Sequence, residues 1–81
     1  MIRVRFTRYF LEIRTRPDRA VILDKWIERG IARPLREQVQ ADGRIRRWVQ
    51  IPEMKGRYLR VVLLADGETV HNAFFDRGFE P

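Results

Sequence analysis

Apolar positions recur along this chain with two different periods. Between Pro17 and Pro34, the residues Ile22, Leu23, Trp26, Ile27 and Ile31 are spaced as one face of a helix, while Asp24, Lys25, Glu28 and Arg29 fall elsewhere on the wheel. Pro17 suits a first helical turn and Asp18 complements the positive end of the helix dipole. Gly30 weakens the far end and Pro34 stops it. The spacing predicts one amphipathic helix of roughly four turns. Trp26 lies inside its apolar stripe, which makes it core rather than a platform for a ligand.

After Pro34 the period falls to two. Residues 35–40 read as a strand with Glu37, Val39 and Ala41 opposite Arg36, Gln38 and Gln40. Residues 44–51 read as another, with Ile45, Arg47, Val49 and Ile51 on one side and Arg44, Arg46, Trp48 and Gln50 on the other. Residues 58–64 and 69–76 give two more, rich in β-branched and aromatic side chains. Asp42-Gly43 and Asp66-Gly67 supply residues that tolerate positive φ, and each predicts a tight hairpin. Residues 52–56 form a loop, and the few after Gly78 read as frayed.

The first sixteen residues are less distinct. Ile2, Val4 and Phe6 alternate with Arg3 and Arg5, as in a short strand with a basic face. Phe10, Leu11 and Ile13 fit a helix, although Tyr9, Leu11 and Ile13 also alternate. Thr7 as a cap, with Phe6 and Leu11 as a hydrophobic staple, favours a helix over 7–16. The expectation is a single α+β domain over residues 1–81: two N-terminal helices packed on a three- to four-stranded antiparallel sheet.

Composition narrows the chemistry. There is no cysteine and one histidine, which leaves no disulfide, no thiolate site and no His cluster for a metal. No metal or cofactor is expected. No run approaches the roughly 18 to 20 apolar residues of a membrane span, and the first residues are too polar for a signal peptide. The expected location is the cytoplasm.

Charge changes the picture most. Lys and Arg number 17 against 11 acids, a net charge of +6, and fifteen of the bases are Arg. The guanidinium fork suits phosphate and stacks on bases, so this balance points to nucleic acid or an acidic protein partner. A solvated basic surface is the plainer explanation of the same count.

Several polar residues lie within apolar strands. Arg44, Arg46 and Trp48 share one side of their strand, and Tyr58 and Arg60 share one side of the next. His71 falls with Ala73, Phe75 and Arg77. If these sets meet on one sheet face, Trp48 and Tyr58 stack bases, the arginines hold phosphate and His71 moves a proton. Arg44, Arg46, Trp48 and Tyr58 are then the RNA-binding candidates, and His71, Arg60 and Arg77 the catalytic ones. A solvated charged edge explains Arg44, Arg46 and Arg47 equally well, and a salt bridge to Asp76 or Glu53 does the same for Arg60.

The run DGRIRRWVQIPEMKGRYLRVVLLADGETVHNAFFDRGF, residues 42–79, resembles small bacterial proteins grouped with the BrnT-like toxins of the RelE/ParE superfamily. The upstream layout of helices ending before Pro34 is similar too. The resemblance implies helices followed by a curved antiparallel sheet. It also implies an endoribonuclease that cuts mRNA, on or off the ribosome, and is restrained by a small antitoxin protein. Superfamily sites use scattered Arg, Lys, Tyr or His, so no residue is carried over by motif. Lys25 and Lys55 both lie away from the candidate site. A non-catalytic basic module that binds RNA or an acidic protein is the alternative.

Overall fold

The computed structural model describes residues 4–81. Ile2 and Arg3, the start of the first predicted strand, lie outside them; within its remainder Arg5–Phe6 form β1. Thr7 then caps α1 (Arg8–Ile13), its hydroxyl accepting the Phe10 amide at 3.1 Å. The expected staple does not form. Phe6 meets Phe10, with ring centroids 5.7 Å apart, and Leu11 is exposed.

The long helix predicted after Pro17 is two helices, α2 (Pro17–Ala20) and α3 (Asp24–Ala32). The break falls at Val21-Ile22-Leu23, where two β-branched residues in succession weaken the helix. Unwinding lets Ile22 turn into the core while Val21 and Leu23 stay exposed. An ion pair from Arg14 to Asp24 ties the start of α3 to the end of α1.

Four further strands follow: β2 (Arg36–Val39), β3 (Ile45–Ile51), β4 (Arg57–Leu63) and β5 (Thr69–Phe75). Their order in the sheet is β1-β5-β4-β3-β2. The domain is α+β as expected, with two differences among the described residues. There are three short helices, and the sheet is five-stranded and mixed, because β1 runs parallel to β5 while the other pairs are antiparallel. The helices between β1 and β2 carry the chain across the sheet, which allows the parallel pairing.

Both Asp-Gly signals mark turns, with Gly43 at φ +91° and Gly67 at φ +71°. The second turn is wider than two residues, since Leu64 N–H donates to the Thr69 carbonyl. Asp66 braces it: the Thr69 hydroxyl and the Glu68 and Thr69 amides hold its carboxylate at a pKa of about 2.

The helices cover one sheet face. Ile13, Ile22, Trp26 and Ile27 pack there on Val49, Ile51, Leu59, Val61, Leu63, Val70 and Ala73. At Gly30 the helix approaches so closely that a Cβ would lie 3.0 Å from Val61 Cγ2. Arg47, the one charged residue of β3 on this side, donates to the Ile31 carbonyl at the end of α3 and to Glu37. Among the described residues, no helix residue joins the core cluster from the other sheet face.

Candidate nucleic-acid interface

The open face is organised by register. Arg36 pairs with Trp48, Trp48 with Arg60, and Arg60 with Phe74, so these four form one row across β2, β3, β4 and β5. Directly opposed residues lie on the same side of a sheet, and cations thus alternate with aromatic rings along the row. The Arg60 guanidinium lies 5.4 Å from the Trp48 ring and 5.0 Å from the Phe74 ring. Arg19 of α2 reaches over the far side of Phe74 at 5.4 Å. Gln38, Arg46, Val62 and Asn72 make the row on one side; Gln50 and Tyr58 begin the row on the other.

Asp76 sets the charge at the centre. Its Oδ2 accepts from Arg60 Nη2 at 2.6 Å, from Arg60 Nε at 3.0 Å and from Trp48 Nε1 at 3.0 Å. Burial pushes the Asp76 carboxyl up, but the Trp48 and Arg60 bonds and the Arg60 charge outweigh it and hold the pKa below its ordinary value. Of the two partners foreseen for Arg60, Asp76 is the one used; Glu53 binds Arg29 instead. Arg60 is therefore a neutralised cation.

The residues after Gly78 are not frayed. The Phe79 ring stacks on Trp48 at 4.9 Å and 17°, with Tyr58 at 5.1 Å beside it and the Arg36 guanidinium 5.2 Å above. Four aromatic or guanidinium planes offer enough contact area to hold so short a segment. Two hollows flank the Phe79 ring. The larger, about 560 Å³, is lined by Arg36, Trp48, Arg60, Asp76, Phe79 and Glu80, among others. The smaller, about 340 Å³, is lined by Lys55, Arg57, Tyr58, Asp76, Arg77 and Phe79, together with Gly56.

The sequence-derived candidates separate into four places. Trp48, Tyr58 and Arg60 share the open face, with Arg46 one row away and bonded to Gln38. Arg77 lines the smaller hollow together with Lys55, which its loop position had placed away from the site, and Arg44 sits in the turn before β3, paired with Asp42 at 3.8 Å.

His71 stands apart. Val62 pairs with Asn72 and Leu63 with Val70, which leaves His71 as the extra residue of a β-bulge, out of the alternation that grouped it with Ala73 and Phe75. Its ring stacks on Tyr9 of α1 at 4.9 Å, and it lines neither hollow. It lies three positions before Phe74, about 10 Å along a strand. Burial first, and the Arg44 charge second, hold its pKa below the ordinary histidine value, and Nδ1 is buried with no partner among the described residues. His71, Arg60 and Arg77 are not gathered around one point.

Arg36, Phe74 and Phe79 complete the face and escaped the sequence reading. Arg36 is visible there only as one side of an alternating strand, and Phe79 is an isolated ring after a glycine.

Among the described residues no helix is long and apolar enough to cross a membrane, and no group of His, Asp and Glu could hold a metal ion. Comparison with protein-family models, with curated proteins and with solved structures finds no match for the chain.

Proposed function

We propose that the chain is a cytoplasmic RNA-directed domain of the toxin-like kind that its resemblance to the BrnT-like proteins implies, binding single strands across the open sheet face. The observation that carries this reading is the Arg36–Trp48–Arg60–Phe74 row, in which register alone alternates guanidinium groups with flat rings, Arg60 being balanced by Asp76 in the free protein. Single-stranded nucleic acid presents the matching pattern of phosphates and bases. Lys55, Arg57 and Arg77 beside Tyr58 extend the same chemistry into the smaller hollow. A small acidic antitoxin-type protein would cover this face by charge complementarity.

Binding of this kind is dominated by phosphate. Affinity for a single-stranded oligonucleotide is expected to fall with salt at a log–log slope of about −0.7 per phosphate neutralised, and duplex RNA of the same length should bind more weakly. Affinity that is flat between about 50 and 200 mM salt, or stronger for duplex, would contradict the reading.

Endoribonuclease activity is the second reading, and the state of His71 favours it. Burial first, and the Arg44 charge second, favour the neutral imidazole, the form that can accept the 2′-OH proton as the 2′ oxygen attacks phosphorus and the 5′ oxygen leaves. His71→Gln keeps a polar side chain that shuttles no proton. It should lower cleavage of mRNA, with or without ribosomes, by about 10² to 10⁴-fold while single-strand affinity holds. Undiminished cutting by the folded variant would remove His71 from the reaction.

A further inference from the structure

Trp48 is the widest flat surface of the open face, yet it is only 5% exposed because Phe79 lies on it. A base can stack there only if Phe79 leaves. We infer that Phe79 is a placeholder: it fills a nucleobase slot on Trp48 in the free protein and swings out when single-stranded RNA binds. The inference rests on the RNA reading above and adds to it where a base sits and what must move.

What surrounds Phe79 is what a base with its phosphate needs. Trp48 supplies a parallel plane, Tyr58 a flanking ring at 58°, and Arg36 a cation over the outer face. Asp76 and Phe79 alone line both hollows, so the ring is the partition between them. With it gone, the hollows join into one trough from Arg36 past Trp48 and Tyr58 to Arg57 and Arg77.

Apart from the ring contacts of Phe79, two hydrogen bonds hold the segment. Arg36 Nη1 donates to the Glu80 carbonyl at 3.1 Å, and the Gly78 amide donates to Asp76 Oδ1 at 3.0 Å. Arg77, Gly78, Glu80 and Pro81 are exposed, and the Glu80 carboxylate takes part in no ion pair among the described residues. Phe79 packs on Trp48 outside the core cluster, so its displacement uncovers Trp48 and leaves that cluster packed.

A closed slot lowers apparent affinity by the fraction of molecules that are open. The test compares the wild type with Phe79→Ala, using an oligoadenylate of about ten nucleotides and inorganic polyphosphate as probes. Phe79→Ala should bind oligoadenylate about tenfold tighter and change its polyphosphate affinity by less than about twofold. In the wild type, the Phe79 ring protons, shifted by the Trp48 ring current, should move to exposed-phenylalanine positions as oligoadenylate saturates and stay in place with polyphosphate. This second measurement does not depend on the variant folding. Oligoadenylate binding that is no tighter in folded Phe79→Ala, or that leaves the wild-type Phe79 signals in place, overturns the placeholder and spares the RNA reading. No oligoadenylate binding by either protein overturns both.

Discussion

Trp26→Ala is expected to remove about 3 to 5 kcal/mol of folding stability, as other large-to-small core changes do. Trp26 is 5% exposed, packs within the core cluster between α3 and the sheet, and meets the edge of Phe75 at 6.3 Å. A domain of this size has about 5 to 15 kcal/mol in total, so the variant would sit near its unfolding threshold. The indole Nε1 is buried with no hydrogen-bond partner among the described residues. Trp26→Phe, which keeps a ring and deletes that orphan donor, should therefore cost only about 1 kcal/mol. Urea unfolding measures both. A loss below about 1 kcal/mol for Trp26→Ala would take the residue out of the core.

Asp76→Ala should act in two directions at once. Asp76 is the shared acceptor of Arg60 and Trp48, and its side chain is 12% exposed against 24% for Arg60. Breaking a fully buried pair costs about 3 to 5 kcal/mol. Partial exposure of Arg60 lets water take over some of the lost bonding, which brings the expected cost to about 2 kcal/mol. RNA affinity should rise, because the substitution removes a negative charge from the middle of the face and frees a guanidinium.

The pH dependence follows the same residue. A carboxylate with a depressed folded-state pKa adds stability that is full above its unfolded value, about 3.9, and lost as pH falls through the folded one. The wild type should thus lose stability below about pH 4, with Asp66 and Glu53, both held at about 2 but exposed and screened by solvent, adding a smaller loss in the same sense. His71, also depressed, begins a gentler loss below about pH 6.5, because the unfolded chain takes up that proton first. Asp76→Ala should flatten the acid part of the curve. An unchanged acid slope would show that Asp76 is not the group responsible.

How far the sequence carried depended on whether a feature was local. The four strands after Pro34, both Asp-Gly turns and the Thr7 cap depend on neighbouring residues, and each is legible. The break at Val21-Ile22-Leu23 is not, because it serves the burial of Ile22 in a core assembled from distant strands. Strand β1 was visible as an alternation, but its parallel pairing with β5 depends on where the helices deliver the chain.

The same divide runs through the site. Alternation alone puts Arg46 with Trp48, and Tyr58 with Arg60. Only register puts Arg36, Trp48, Arg60 and Phe74 in one row. Alternation misled at His71, since a bulge shifts every later residue of a strand by one and leaves no mark in composition. Phe79 looks frayed in the sequence because its partners, Trp48 and Tyr58, lie far back along the chain.

The claim at the centre is that single-stranded RNA lies on the open face over Trp48 and Arg60. Amide and indole resonances followed by NMR during an oligoadenylate titration test it most directly. The account predicts that the largest shifts fall on Arg36, Arg46, the Trp48 indole, Tyr58, Arg60 and Phe79, with α3 and Trp26 unmoved. Shifts concentrated on the helix face, or none at saturating oligoadenylate, would contradict it.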